Sequence, residues 1–266
     1  MKRKLFFIVA AFALLVCAGI FLRGAYTVPV LMYHSINRGG EHSRLVVAPE
    51  SFQRQMRFLR EQHYRVLALE DYVRLMKQGE KPARKSVVIT FDDGYADNYF
   101  NAYPVLKRCG FPATIFAVPQ WVGTKDMADW RQLEEMISGG ITIGSHGLSH
   151  CELTNIAPEE AEREIVRSKR ELEERLGVPV NYFCYPCGFL NPALKQMVIK
   201  AGYRGACATR PGKHGVRNDI FAIRRIRISR SADNLFIFRA QVSGYYNLLR
   251  DYAGKYGKIW NYETKP

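Results

Sequence analysis

The sequence lacks any internal repeat or low-complexity tract, so nothing in it indicates a repeat array. It is also short of acidic residues, because 25 Asp and Glu stand against 39 Lys and Arg, for a formal net charge of +14. Four basic residues lie in the first 23 positions and the others are spread along the chain. A dispersed positive excess suits an anionic cell-envelope surface. Nucleic acid is the less favoured partner, and we expect none.

Cysteine is too sparse for a zinc knuckle, because no second pair accompanies Cys184-x-x-Cys187. In an extended segment these two side chains face opposite sides, with Cα atoms about 10 Å apart, too far for a disulfide without a turn. The strand pattern therefore disfavours a redox role. Beyond Cys17 the number of cysteines is odd, so at least one cannot pair within the chain.

Short apolar runs alternate with amphipathic stretches along most of the chain, which is the rhythm of a parallel α/β fold. A chain of 266 residues with 47% hydrophobic content can bury one large core, as in a single-domain α/β barrel. The predicted strands cover residues 28–32, 86–91, 113–118, 141–144, 180–188 with a terminal Pro-x-Gly turn, 204–208 and 220–228. The first predicted helix begins at residue 51. The other predicted helices cover residues 69–76, 98–108, 130–137, 158–176, 191–201 and 233–243.

The one long uncharged apolar run lies at the N-terminus, from Leu5 to Leu22, after three basic residues at positions 2–4. It is long for the hydrophobic region of a signal peptide and barely long enough to span a bilayer. The residues before Ala25 offer no good cleavage site. We therefore expect export with residues 1–24 retained as a membrane anchor, and secretion after cleavage as the alternative. Residues 25–266 form the predicted catalytic domain with a basic, aromatic C-terminal tail.

The apolar run from Ser86 to Phe91 stops abruptly on Asp92, Asp93 and Gly94. It predicts a buried strand, after which Gly94 permits a sharp turn and Asp97 can cap the next helix. Consecutive side chains on an extended backbone point in different directions, so the two carboxylates are expected to differ in role. One can bind a metal while the other acts as a base on water. Taken alone, the pair also fits an acidic turn with no function.

Two histidines follow the strand predicted at 141–144, in the sequence Ser145-His146-Gly147-Leu148-Ser149-His150. Histidines four apart on a helical turn, or around a glycine-containing loop, can direct both imidazoles to one point, as a zinc site requires. The ends of parallel strands share one rim of the fold, which favours a common site with the two aspartates.

Three further positions have two interpretations each. His34 follows the first predicted strand, and such a histidine is more often a structural hydrogen-bonding residue than a catalyst. Arg225 and Arg227 share one face of the last predicted strand. A half-exposed edge strand is the preferred interpretation there, and a substrate-binding arginine is the alternative.

The order of these motifs resembles the polysaccharide deacetylases with a NodB-homology domain (carbohydrate esterase family four). The resemblance runs from about Val28 to about Gly244 and is carried by Thr90-Phe91-Asp92-Asp93-Gly94, Ser145-His146 with His150, and Tyr185-Pro186-Cys187-Gly188. It implies a distorted (β/α)7 barrel and a divalent metal, usually zinc, with cobalt, nickel or iron as alternatives. It also implies hydrolysis of N-acetyl groups on amino sugars. By position, the resemblance makes Asp93, His146 and His150 metal ligands and Asp92 the general base.

The chain departs from the family pattern at two points. Many members carry an arginine and a tyrosine in the third motif, and the tyrosine N–H stabilises the oxyanion. Here Cys187 stands at the tyrosine position and no arginine lies nearby upstream. A backbone donor survives a change of side chain, so Cys187 is expected to keep this role. The late Leu-x-His that carries the general acid is also missing, and His214, the only histidine after His150, lies in a loop rich in Gly and Lys.

The chain also resembles a subgroup that begins Pro-Val-Leu-x-Tyr-His and acts on poly-N-acetylglucosamine, in which the histidine of that first motif takes over as acid. This resemblance makes His34 the predicted acid. The resulting hypothesis is a metal-dependent N-deacetylase of an N-acetylglucosamine polymer in the cell envelope or extracellular matrix. The alternatives are a catalytically silent glycan-binding protein on the same fold, and a membrane-tethered redox protein that uses Cys184 and Cys187.

Overall fold

The computed structural model describes residues 23–39, 45–80, 82–209 and 219–247, together with residues 7, 10, 12, 14, 16, 17 and 19. The predicted anchor, residues 1–24, and the tail beyond residue 247 fall mostly or wholly outside these residues, and so does His214. Among the residues described, no helix is long and apolar enough to cross a membrane.

The described chain contains one sheet of nine strands with parallel pairing throughout. The strands are β1 (Val30–Tyr33), β2 (Arg65–Leu67), β3 (Ser86–Phe91), β4 (Ala113–Ala117), β5 (Ile141–Ser145), β6 (Tyr182–Cys184), β7 (Gly205–Ala208), β8 (Ile223–Arg224) and β9 (Ile226–Arg227). Their spatial order is β8-β7-β6-β5-β4-β3-β1-β9, and β2 pairs with β3.

Within the described residues from 45 onward, seven α-helices connect and surround these strands. They are α1 (Pro49–Glu61), α2 (Leu69–Gln78), α3 (Tyr103–Cys109), α4 (Trp130–Ser138), α5 (Pro158–Leu176), α6 (Pro192–Lys200) and α7 (Leu235–Gln241). The longest, α5, has the predicted bounds, because Pro158 fits its first turn and Gly177 ends it with a left-handed φ of 65°.

The ends of the sheet meet at Arg225. β8 pairs with β7 at one end of the strand order, and β9 pairs with β1 at the other. Only Arg225 separates β8 from β9 in the chain. The sheet is therefore a nearly closed barrel, which confirms the predicted α/β barrel. The single strand predicted at 220–228 is wrong, since closure divides it into two short strands that belong to opposite edges.

Strand alternation separates two apolar cores. Val88 packs in one cluster with Phe116, Cys184 and residues of α2. Its neighbours Val87 and Ile89 pack in the other, together with most of the helices. Successive strand residues face opposite sides of a sheet, so the inner cluster fills the barrel and the outer one joins it to the helices. Asp92 continues the inner series of Val88, and Asp93 continues the outer one.

An aromatic cluster holds β1 and β3 together below the rim. The Tyr33 and Phe91 rings stack at 5.4 Å, and Phe52 of α1 contacts both edge-on. The buried Tyr33 hydroxyl donates to Gln55 Oε1 at 2.8 Å, so its burial leaves no unsatisfied donor. Replacing such a buried aromatic side chain by alanine costs on the order of 3–5 kcal/mol. The residues that follow Tyr33 and Phe91 are thus attached to tightly packed strand ends.

Of two local predictions after the acidic pair, one is confirmed and one is wrong. The segment predicted as a helix over 98–108 is helical throughout, first as a π-helical turn, Asn98–Ala102, and then as α3. Asp97 does not cap this helix with its side chain. Its carboxylate instead accepts hydrogen bonds from the loop after β1, which competes with capping for the same oxygens.

Candidate active site

The candidate residues lie on the rim formed by the C-terminal ends of the parallel strands. His34 follows β1, the aspartate pair 92–93 follows β3, His146 follows β5, and β6 ends at Cys184. A parallel barrel places these strand ends on one side, so residues from distant parts of the sequence meet there. The structure brings together His34, Asp92, Asp93, His146 and His150.

Three of these residues present metal-type ligand atoms to one point. The donor atoms of Asp93, His146 and His150 all lie within 4.8 Å of one another. Asp93 Oδ1 is 3.7 Å from His146 Nε2 and 3.5 Å from His150 Nε2. This oxygen is buried and, within the described chain, has no hydrogen-bond partner. A buried acceptor between two imidazole nitrogens fits a divalent cation with N and O ligands.

The local backbone fixes the direction of each of these donors. The buried His146 ring places Nδ1 2.8 Å from the Cys184 carbonyl oxygen, which leaves Nε2 facing Asp93. Asp93 and His150 have φ values of 71° and 64°, rare for residues other than glycine. Between the histidines Gly147 has φ 78°, and a Cβ there would lie 3.2 Å from Pro186 Cγ. The loop therefore needs a glycine at this point.

Asp92 is paired with an arginine from the closing seam of the barrel. Arg225 Nη1 donates to Asp92 Oδ1 at 2.5 Å and Nη2 donates to Oδ2 at 2.6 Å. The same guanidinium donates to Thr90 Oγ1 at 3.2 Å and to Cys184 Sγ at 3.0 Å. Arg225 is 1% exposed and Asp92 is 2% exposed. This bidentate, charge-assisted pair fixes both carboxylate oxygens of Asp92.

The two neighbouring aspartates differ in their protonation. Burial raises the pKa of Asp92, but Arg225 outweighs burial and holds that pKa well below its usual range. Burial and the negative charge of Asp92 raise the pKa of Asp93 to about 7. With Arg225 beside it, Asp92 is thus ionised at neutral pH without a bound metal, whereas a bound cation would favour the ionised form of Asp93. Burial also lowers the pKa of His146 to about 3, which keeps its ring neutral, as ligation requires.

A second group of possible ligands, formed by Asp92, His146 and Cys184, fits a metal less well. Both oxygens of Asp92 already accept hydrogen bonds from Arg225. Burial raises the pKa of the Cys184 thiol well above its usual value, and a thiol must lose its proton to bind a metal. The group with Asp93 and His150 is therefore the better metal site.

His34 lies at the edge of the site with its ring aimed at Asp92. Its Nε2 is 3.9 Å from Asp92 Oδ2, and its side chain is 12% exposed. Burial lowers the pKa of His34 to about 4, although the Asp92 charge opposes this shift. The ring is therefore neutral at rest near pH 7. An acid role would therefore require a proton to reach this ring during the reaction.

Cys187 lies in the predicted turn after β6, within Pro186–Gly188. Its φ is 58°, so the turn holds a non-glycine residue in the left-handed region next to the site. The side chain of Cys187 is exposed, whereas Cys184 is buried beside Arg225. The two thiols thus occupy different environments.

The half-exposed edge strand preferred for Arg225 from its sequence pattern is a wrong prediction, because the side chain is 1% exposed. The residue is buried and neutralises Asp92, which lies 133 positions earlier in the chain. The alternation of Arg225 and Arg227 with Ile226 and Ile228 predicted a shared face for the two arginines, but no pattern indicated which side is the barrel interior.

Replacing Arg225 by methionine is expected to lower the free energy of unfolding by about 3–5 kcal/mol, because it leaves a buried carboxylate without its counter-charge. Urea unfolding of the metal-free protein measures this. The exposed pair of Arg170 and Glu174 provides the control, and Arg170→Met is expected to leave stability nearly unchanged. Equal losses in the two variants would contradict the assignment of Arg225 as the counter-ion that stabilises ionised Asp92.

Comparisons with known proteins agree with the fold and identify related proteins. The sequence model of the polysaccharide deacetylase family matches residues 79–206. YxkH, assigned as a polysaccharide deacetylase in Bacillus subtilis (strain 168), is 36% identical over 201 residues, 76% of this chain and 71% of YxkH. The poly-beta-1,6-N-acetyl-D-glucosamine N-deacetylase of Staphylococcus aureus (strain MRSA252) is 29% identical over 175 residues, which span 59% of this chain and 60% of that enzyme.

Solved structures of deacetylases have the same fold. The Streptococcus pyogenes deacetylase PplD, in complex with acetate, superposes with a TM-score of 0.72 at 28% identity, over 79% of this chain and 96% of PplD. BC0361, a polysaccharide deacetylase from Bacillus cereus, gives a TM-score of 0.70 at 28% identity, over 81% of this chain and 68% of that chain.

The fold and the position of the polar residues define the class of protein: a nearly closed parallel α/β barrel of the deacetylase type, with its polar residues on one rim. The relatives described above show that the chain belongs to the polysaccharide deacetylase family with a NodB-homology domain, carbohydrate esterase family four. The matched range, residues 79–206, contains Asp92, Asp93, His146 and His150 but neither His34 nor Arg225. His34 follows β1, and Arg225 lies between β8 and β9 at the closing seam.

Proposed function

We propose that this protein is a metal-dependent N-deacetylase that removes acetyl groups from an N-acetylglucosamine polymer outside the cytoplasm. The observation that carries the proposal is the convergence of Asp93, His146 and His150 beside an ionised Asp92 on one rim. Three metal-type donors next to a separate carboxylate meet the needs of amide hydrolysis, in which a water must lose a proton and a carbonyl must be polarised.

Asp93, His146 and His150 would hold the metal, with zinc the best match to one carboxylate and two imidazoles and with cobalt, nickel or iron as alternatives. The bound cation supplies Lewis acidity toward the acetyl carbonyl and toward a water molecule. The chain itself supplies the fixed direction of the donors, because His146 is held through its second ring nitrogen at the Cys184 carbonyl.

Asp92 is the proposed general base. Arg225 keeps this carboxylate ionised and fixes its oxygens, so it is ready to accept the proton of the attacking water. The developing negative charge on the acetyl oxygen needs a further donor, and the backbone N–H of Cys187 is the proposed one. Its turn follows β6 at the same rim.

His34 is the proposed general acid. Hydrolysis breaks the bond between the acetyl carbon and the sugar nitrogen, and the nitrogen leaves as an amine only if it receives a proton. His34 Nε2 and Asp92 Oδ2 lie 3.9 Å apart at rest, and the proton that Asp92 takes from water can pass to His34, and from there to the nitrogen, when the two groups come within hydrogen-bonding distance in the substrate complex. The low pKa of His34 makes it ready to give up that proton.

The substrate class and location rest on the relatives and the N-terminus. The Staphylococcus aureus relative is named for poly-beta-1,6-N-acetyl-D-glucosamine, and a related β-linked amino-sugar polymer is the proposed substrate. The apolar run from Leu5 to Leu22 supports export, with residues 1–24 as anchor or signal and residues 25–266 as the catalytic domain. The formal charge of +14 suits an anionic envelope, and no nucleic acid is expected as a partner.

Acetate release from N-acetylglucosamine oligomers by the purified protein tests this function. We expect release with added zinc and none after chelation, with activity restored when zinc is returned. Binding of the oligomers without any acetate release, under the metals named above, would instead support the catalytically silent glycan-binding protein.

Replacing His34 by alanine is expected to keep the metal and the fold but to lower amide turnover on the order of a hundredfold, because the leaving amine loses its acid. An activated acetate ester, whose leaving group needs no proton, should be hydrolysed far better by His34→Ala than the amide is, relative to the unmutated protein. His214→Ala serves as the control and should change little. Equal losses of amide and ester hydrolysis in His34→Ala would show that the acid is misassigned.

A further inference from the structure

The His34 ring is held in place by its backbone rather than by its own hydrogen bonds. Within the described chain, its buried Nδ1 has no hydrogen-bond partner. Its Nε2 is 3.9 Å from Asp92 Oδ2, which is beyond hydrogen-bonding distance. The position of the ring therefore depends on the loop that follows β1.

That loop is tied to one carboxylate, Asp97, five residues after Asp92. Ser35 Oγ donates to Asp97 Oδ2 at 2.6 Å, and Asn37 Nδ2 donates to the same oxygen at 2.9 Å. The backbone N–H of Ile36 donates to Asp97 Oδ1 at 2.8 Å. Three consecutive residues after His34 are thus bound to one side chain.

Asn98 extends this link to His34 itself. Its Nδ2 donates to the His34 carbonyl oxygen at 2.8 Å and to Asp97 Oδ1 at 3.0 Å. Asp97 therefore holds the His34 backbone both through the loop and through Asn98. Because Asp92 and Asp97 lie on the same short segment, the loop that carries His34 is fixed to the segment that carries the proposed base.

We propose that Asp97 is a positioning residue that sets the distance between His34 and Asp92. This rests on the proposed function, in which His34 is the acid. Asp97 does not cap the following helix with its side chain and is not part of the groups of metal-type ligands. Its two carboxylate oxygens accept hydrogen bonds from the loop and from Asn98.

A second carboxylate provides a matched control, because it ties down the other functional loop in the same way. Glu164 of α5 accepts hydrogen bonds from the backbone N–H groups of Leu148 and Ser149 at 2.8 and 2.9 Å, and from Ser149 Oγ at 2.8 Å. These residues lie between His146 and His150. Removing the hydrogen bonds that Glu164 accepts should therefore weaken metal binding, whereas removing those that Asp97 accepts should not.

The first test is a double-mutant cycle with Asp97→Asn and His34→Ala. Asp97→Asn keeps the side-chain shape and replaces an acceptor by a donor. We expect amide turnover to fall about tenfold, less than in His34→Ala, because Val47 N–H still holds the Ser35 carbonyl. Ester turnover and zinc affinity should change little. In the His34→Ala background, Asp97→Asn should cause almost no further loss of amide turnover, since it acts through His34.

The control distinguishes positioning from general damage. Glu164→Gln should weaken zinc binding and lower amide and ester turnover together when zinc is limiting. If Asp97→Asn lowers amide and ester turnover equally, or lowers amide turnover as much in the His34→Ala background as in the unmutated protein, Asp97 does not act through His34 and the proposal is overturned.

The second test needs no catalytic activity, so it separates failure of this proposal from failure of the proposed function. Hydrogen–deuterium exchange of the metal-free protein reports on the Ile36 amide, which donates to Asp97. In Asp97→Ala we expect faster exchange in the peptide that spans 34–37, with exchange across 146–150 unchanged, and the reverse in Glu164→Ala. Unchanged exchange at 34–37 in Asp97→Ala would overturn the positioning role, whatever the protein hydrolyses. Ser35→Ala, which removes one of these hydrogen bonds, gives a milder variant if Asp97→Ala does not fold.

Discussion

Alanine at Asp93, His146 or His150 is expected to abolish metal binding and deacetylation together. Each variant removes one of three protein ligands and leaves an incomplete site, so metal affinity should fall by orders of magnitude. Metal analysis of the purified variants, alongside acetate release, measures both effects. At Asp93, asparagine is a useful second variant because it tolerates the observed φ of 71° better than alanine does.

His63 provides the control for these variants. It is an exposed histidine outside the rim, with a φ of 57° that resembles that of His150. His63→Ala should retain full metal content and activity. Stoichiometric zinc in all three ligand variants would refute the ligand assignment.

Replacing Asp92 by asparagine is expected to keep the metal but to lower turnover by about two to four orders of magnitude. The ligand set is untouched, whereas the group that accepts the proton from water is gone, and removal of a positioned base has an effect of this size. The asparagine cannot neutralise the buried Arg225, so the variant should also be less stable than the unmutated protein.

The double variant Asp92→Asn/Arg225→Met separates these two effects. It removes both buried charges, so its free energy of unfolding should exceed that of Arg225→Met, while its turnover should remain as low as that of Asp92→Asn. Metal content in Asp92→Asn is checked as for the ligand variants. Full activity in Asp92→Asn would show that Asp92 is not the base.

The sequence predicted the barrel well because its signals are local. Short apolar runs rich in β-branched residues, such as Ser86–Phe91, are typical of buried strands. The proline and glycine at the two ends of α5 fix its bounds. The placement of Asp92, Asp93, His146 and His150 on one rim follows from their positions at strand ends, because parallel strands end on one side.

Arg225 and Asp97 could not be predicted in the same way. The Arg225 contact joins residues 133 positions apart, and it exists only because the sheet closes on itself. The position of Asp97 predicts a helix cap, but its carboxylate oxygens accept hydrogen bonds from the loop after β1, 60 to 62 positions earlier, instead. In both cases the partner is set by how strands are arranged in space, which a pattern along one segment does not encode.

Because one predicted strand is divided into β8 and β9, the order in which the chain emerges affects when the site can form. When the N-terminus emerges first, Asp92 and the histidines appear long before Arg225, the residue at which the sheet closes. Until that residue arrives, the inner carboxylate has no cationic partner, so burying it is costly and the early barrel cannot fully condense around it. The last step of barrel assembly is then also the step that gives the proposed base its counter-ion.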